Sequence, residues 1–213
     1  MKTIAINGSP RKNWNTAVLL ENALKGASGA GSQTELGHLY DIDFKGCISC
    51  FKCKIQGGKN YGKCAAKDGL TPFLEKIEKS DALILGTPIY MGAITGEMKS
   101  FMERLLFQHH LYTNPPQSSY KGNIKVGLIF DMGMDRERFE NSPLKIHTEA
   151  MKDIVKRIFG NVETLYIFDT YQMDDYKNID YWMDIDKKRE RRKTVFPKDC
   201  EKAFELGMKL ISK

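Results

Sequence analysis

Short apolar runs, each closed by turn residues and set apart by longer amphipathic stretches, constrain this chain more than any other feature. Residues 3–6 (TIAI), 81–86 (DALILG) and 124–130 (IKVGLIF) are the clearest, residues 162–168 form a fourth, and residues 33–39 a weaker, edge-like one. Runs this short and rich in branched side chains read as parallel strands covered on both faces. Helical patterns lie between them. In residues 94–111, Met98, Phe101, Met102, Leu105 and Leu106 recur at three and four positions, and Glu103 and Arg104 are assigned to the wet side. Residues 16–25, 143–159 and 199–211 repeat the pattern, and Thr71-Pro72 opens a short helix with a hydroxyl cap. Parallel neighbours need a crossover, so the alternation predicts an α/β, doubly wound, five-stranded parallel sheet with helices on both faces, and the order taken for it is 2-1-3-4-5. The 213 residues are read as one domain carrying a Cys-rich insertion at about 40–70 and a charged arm at about 170–197.

Two loops at the same sheet edge carry the functional signal. In such sheets ligands bind beyond the carboxyl ends of the strands, at the switch point flanked by the first and third strands. After the first strand comes NGSPRKNWNT, residues 7–16. Gly8 permits close backbone approach, Ser9, Asn15 and Thr16 can donate, Arg11 and Lys12 add positive charge, and a helix start offers unpaired N–H groups. The stretch suits a phosphate; the alternative is that Ser9 and Asn15 merely cap the helix. Gly86-Thr87-Pro88-Ile89-Tyr90-Met91-Gly92 follows the third strand and would supply a flat wall, unless it is an ordinary turn with a buried Tyr90. Neither G-x-G-x-x-G nor G-x-x-x-x-G-K-[ST] is present, so dinucleotide and nucleoside-triphosphate fingerprints are unsupported.

G-S-P-R-K-x-x-N-T followed by T-P-I-Y-M-G-x-x-x-G-x-M-K-x-F-x-E-R resembles the flavodoxin-like NAD(P)H-dependent flavin oxidoreductases, the FMN reductase group, over roughly residues 1–170. The resemblance implies non-covalently bound FMN, reduction by NADH or NADPH, a small acceptor such as a quinone, free flavin or nitro compound, and a homodimer. By position, Ser9, Arg11, Asn15 and Thr16 would hold the FMN phosphate. Pro88, Ile89, Tyr90, Met91 and Gly92 would line the isoalloxazine, and Asp131 and Gly133 would belong to a third flavin loop, residues 131–134. That third loop is less Gly-rich than its counterparts, and Trp14 stands where relatives often carry Gly. The flavin carries the chemistry, so no catalytic acid or base is assigned; Tyr90 is a candidate orienting residue, and backbone N–H groups would stabilise charge gained on reduction.

Cys47, Cys50, Cys53 and Cys64 are spaced C-x2-C-x2-C-x10-C. Four thiolates can hold a [4Fe–4S] cluster, whereas structural zinc usually takes two separated pairs. The segment is similar to that of the iron–sulfur flavoproteins, which implies a cluster passing electrons to FMN and a ferredoxin-like partner. It departs from them in the ten residues before Cys64, and cluster-free relatives share a later G-x-C-x-x-K-D, here residues 62–68. Free thiols, inert or redox-active, therefore remain an alternative. Lys45, Lys52, Lys54 and Lys63 are expected to lower thiol pKa values.

The net charge of +6 steers anions without requiring nucleic acid. The basic run at 187–193, beside Tyr181 and Trp182, follows Asp174, Asp175, Asp180, Asp184 and Asp186 and reads as a solvated arm that packs on a partner subunit or caps the flavin cleft, not as a nucleic-acid patch. His109-His110 is expected to end the third long helix, where a cation suits the dipole. Neither a signal-peptide pattern nor a window near the roughly 18 apolar residues of a membrane span is present, and the expectation is a cytoplasmic protein.

Overall fold

A computed structural model describes residues 1–180 and 183–212. In chain order its elements are β1 (Lys2–Asn7), α1 (Asn15–Gly29), β2 (Gln33–His38), α2 (Thr71–Ile77), β3 (Ala82–Tyr90), β4 (Ala93–Ile94), α3 (Gly96–Phe107), β5 (His110–Leu111), β6 (Gln117–Ser118), β7 (Lys125–Asp131), α4 (Arg136–Glu140), α5 (Pro143–Phe159), β8 (Val162–Ile167), α6 (Ile185–Thr194) and α7 (Phe196–Ile211). The parallel strands run β2-β1-β3-β7-β8. With the short β4, β5 and β6 set aside, this is the expected 2-1-3-4-5 order.

The pleat sorts each strand's side chains between two cores. Ile4, Ile6, Leu83, Leu85, Val126 and Leu128 point to the face covered by α2, α3 and α5, where Phe101, Leu105, Val155 and Ile158 meet them. Ala5, Ile84 and Ile129 point to the opposite face, against Leu20 and Ala23 of α1 and Leu206 and Leu210 of α7. On that side the helices nearly touch: a Cβ on Gly207 would stand 1.8 Å from the Ala23 carbonyl oxygen, and one on Gly26 2.0 Å from that of Phe204. Only glycine admits such an approach. Register places Asn7 opposite Gly86 and Pro88 opposite Asp131, so the carboxyl ends of β1, β3 and β7 lie side by side.

Several expectations need correction. The third long helix is α3, shorter than residues 94–111: Ile94 belongs to β4, Thr95 caps the helix by accepting from the Met98 N–H at 3.3 Å, and His109 and His110 lie past its end. Arg104 is not on the wet side but 3% exposed, because it pairs with Asp68. Thr71 does not cap α2; it is already helical, and its hydroxyl donates to the Ala66 carbonyl. The charged arm contains a helix, α6, whose Asp184 accepts from the Lys187 N–H at 2.9 Å. Tyr181 and Trp182 lie outside the described residues. Among the described residues no helix is long and apolar enough to cross a membrane.

Candidate functional site

The first loop is folded by its own side chains. The Asn7 carboxamide oxygen accepts from the Ser9 N–H at 2.9 Å, and its nitrogen donates to His38 Nδ1 at 3.0 Å. Gly8 is tied across the sheet edge, its N–H donating to Gly86 and its carbonyl accepting from the Thr95 hydroxyl at 2.7 Å. A Cβ here would collide with Met98 at 2.9 Å. No side chain caps α1, whose N-cap is Trp14, so the helix-capping alternative for Ser9 and Asn15 is overturned.

The loop's donors converge. Trp14 Nε1 and Asn15 Nδ2 donate to the Tyr171 carbonyl at 3.2 and 2.9 Å, and the Arg11 guanidinium donates to the neighbouring Gln172 carbonyl. Two adjacent carbonyls of the arm thus take bonds that phosphate oxygens can also take, and this donor chemistry fits an FMN phosphate. Arg192 of α6 completes the cluster, donating to Asn15 Oδ1 at 2.6 Å and stacking on Phe196 at 4.0 Å. The Thr16 hydroxyl donates to Asp131, which ends β7 and is 4% exposed. Burial pushes the Asp131 carboxyl up to about 6, against the opposing effects of Thr16, Arg11 and Arg192.

The second segment is a hairpin, not an open loop. β3 continues to Tyr90, then Met91 and Gly92 turn with φ of 49° and 76° into β4, where Ile89 faces Ile94 and Tyr90 faces Ala93. Two left-handed residues match the twist of the strands they join, and a Met in that conformation marks local strain. Pro88 is buried, Ile89 half-buried, and Tyr90 and Met91 exposed, which overturns the buried-Tyr90 alternative. The hairpin therefore presents a partly apolar wall beside the first loop. Gly133 faces the Gln172 side chain and its carbonyl accepts from Lys188 Nζ at 2.8 Å; Lys188, 2% exposed, also pairs with Asp169 at 2.5 Å.

Cys47, Cys50, Cys53 and Cys64 all line one small cavity, with Arg104, Phe107 and Gln108 of the α3 end on its wall. Ser49 and Phe51, on either side of Cys50, hold left-handed φ of 52° and 56°. Among the described residues no three His, Cys, Asp or Glu side chains converge as they would around a single metal ion. The four cysteines of the cavity wall are thiols, the donor type that a [4Fe–4S] cluster takes. Cys47 also lines a separate groove that reaches Ala93 and Ile94 of β4. The expected lowering of thiol pKa values fails at Cys53, where burial outweighs Lys54 and pushes the thiol up. Arg104 was hidden in the sequence by its charge, although its three-residue spacing from Phe101 places it on the buried face. Arg192 and Lys188 were visible only as members of a basic run.

Residues 1–135 match the family model of NADPH-dependent FMN reductases. An iron–sulfur flavoprotein of Methanocaldococcus jannaschii is 38% identical over 136 residues, 64% of each chain, and one of Archaeoglobus fulgidus is 39% identical over 104 residues, 49% of this chain and 48% of that one. The match thus spans about half to two-thirds of these relatives' length. Among solved structures, an NAD(P)H:quinone oxidoreductase from Methanothermobacter marburgensis shares the fold with a TM-score of 0.71 at 17% identity, covering 99% of this chain and 98% of the other. With the family model covering more than half of its residues, this chain belongs to the NADPH-dependent FMN reductase family.

Proposed function

We propose that this protein is an oxidoreductase that binds FMN at the carboxyl edge of β1 and β3 and holds a [4Fe–4S] cluster on Cys47, Cys50, Cys53 and Cys64 for electron transfer. The observation that carries the reading is the cavity lined by all four cysteines, one of which, Cys47, also lines a groove that reaches Ala93 and Ile94 of β4. The iron–sulfur flavoprotein names of the curated relatives support it. FMN, when bound, supplies one- and two-electron redox chemistry. Ser9, Arg11, Asn15 and Thr16 bind its phosphate, with the arm carbonyls of Tyr171 and Gln172 giving up their donors. Pro88, Ile89, Tyr90, Met91 and Gly92 line the ring, Tyr90 orienting it, and Asp131 touches the phosphate end through Thr16. A ferredoxin-like protein is the electron partner.

A second reading has the flavin reduced by NADH or NADPH and reoxidised by a quinone, flavin or nitro compound; the family model's description favours it. In either case the protein works in the cytoplasm as a homodimer. An apolar groove between α3 and α5, lined by Met102, Leu106, Leu144, Met151 and Ile158, supports a second copy there.

Titration of flavin-free protein with FMN and with riboflavin, followed by flavin fluorescence, tests the flavin site: tight one-to-one FMN binding with much weaker riboflavin binding is expected. Equal affinities would remove the phosphate loop from the account. Anaerobic addition of NADH and NADPH separates the donors, since rapid bleaching by either supports the second reading.

A further inference from the structure

Arg104 lines the cysteine cavity, and Lys54 is anchored beside it on Phe107, another residue of its wall. Arg104 reaches it from α3: Nε donates to Cys64 Sγ at 2.9 Å, Nη1 to the Lys45 carbonyl at 2.9 Å, and the guanidinium fork to Asp68 at 2.7 and 3.2 Å. The same helix end holds the Cys64 backbone, whose N–H donates to Gln108 Oε1 at 2.8 Å. Lys54 is next in sequence to the buried Cys53. Its ammonium donates to the Phe107 carbonyl and, at 2.6 Å, to that of His110, lies 4.4 Å from the Phe107 ring centre, and interacts electrostatically with Cys53 and Cys47.

The charge balance is uneven. Arg104 has a carboxylate partner, whereas the partners of Lys54 are two carbonyls, an aromatic face and thiols. A cation withdrawn from water without a full counter-charge is costly, and an anion in the cavity would relieve that cost. A cluster ligated by four thiolates is such an anion, and it becomes more negative when it accepts an electron. Nearby positive charge favours the reduced form, and an N–H···S bond to a ligand sulfur acts in the same direction.

We propose that Lys54 and Arg104 are positioning residues that hold Cys53 and Cys64 and, as one cation beside the cavity and one on its wall, raise the reduction potential of the [4Fe–4S] cluster; this rests on the cluster reading above. Asp68 opposes them by partly neutralising Arg104. The three residues therefore predict shifts of opposite sign.

The experiment is an anaerobic titration of the purified holoprotein with dithionite as electron donor, monitored by electron paramagnetic resonance. Iron, sulfide and flavin are assayed on every sample. For Lys54→Gln the midpoint is expected to move negative, by a change in the oxidised-to-reduced ratio at fixed potential of roughly tenfold, or about 59 mV for one electron. Asp68→Asn is expected to move it positive, and Arg104→Lys, which keeps the charge and loses the fork, to fall between wild type and Arg104→Gln. Should Arg104→Gln fail to fold, the opposite signs of the Lys54 and Asp68 variants still decide. Unchanged midpoints in variants with full iron and sulfide, or shifts of the same sign, overturn the inference. Wild-type protein lacking iron overturns the cluster reading itself.

Discussion

Replacing Asp131 with Asn should make the protein more stable at neutral pH and leave it nearly unchanged in acid. The carboxyl sits 4% exposed at the end of β7, accepting from Thr16, and burial raises it from an ordinary 3.8 to about 6. At about 1.4 kcal/mol per tenfold change in proton affinity, that rise corresponds to roughly 3 kcal/mol. A carboxyl held above its unfolded value favours the folded state fully below about pH 4, and the contribution is lost as pH rises through about 6. Wild type thus loses roughly 3 kcal/mol from this group between pH 4 and pH 7, while Asp131→Asn keeps an acceptor for Thr16 and loses nothing. For a chain of this size the gain at pH 7 corresponds to a Tm higher by about 6–12 °C. The assay is urea unfolding of flavin-free wild type and variant from pH 4 to pH 8, taking the difference between them. Asp68, Glu35 and Glu149, whose carboxyls are held low by Arg104, Lys76 and Lys152, titrate equally in both proteins and cancel. A difference that stays constant across this range, or a variant less stable at pH 7, would refute the reasoning.

Gly207→Ala should destabilise the fold by about 3 kcal/mol or more, since its Cβ meets a backbone oxygen of α1, whereas Gly96→Ala, with open space around it, should be near neutral in the same denaturation assay. Lys188→Met strands Asp169 and the Gly133 carbonyl, at a cost of about 3–5 kcal/mol; the Lys188→Met, Asp169→Asn double variant should recover part of it in a double-mutant cycle. Arg192→Ala should weaken FMN binding by roughly 10- to 100-fold, the worth of a charge-assisted hydrogen bond, and leave riboflavin binding unchanged. Equal losses for the two flavins would show that Arg192 does not act through the phosphate.

The parts of this fold written in local pattern were legible, and those written in long-range pairing were not. The doubly wound class follows from the alternation of strands with crossover helices, and β1, β2 and β8 fall within a residue or two of their apolar runs. Thr87 and Pro88 read as turn residues, yet antiparallel pairing with β4 carries β3 on to Tyr90. Arg104 was placed in water because nothing local announces Asp68, which lies 36 positions earlier in the sequence. The same limit hid the junction of the first loop with the arm: the carbonyls of Tyr171 and Gln172 meet Asn15 and Arg11 across more than 150 residues. Thr16 and Asp131 were named separately as candidate ligands, and their contact with each other is visible only in three dimensions. The cysteine spacing points to a shared site, while the placing of Arg104 and Lys54 beside it depends on where α3 ends.

The most direct test is the composition of protein expressed and purified without oxygen, measured as FMN, iron and acid-labile sulfide per chain on one sample together with its absorption spectrum. The expected result is about one FMN with about four iron and four sulfide, and a broad shoulder added to the flavin bands. FMN without iron, in a protein that gains none on anaerobic reconstitution with ferrous iron and sulfide, would contradict the cluster and leave the four cysteines as thiols.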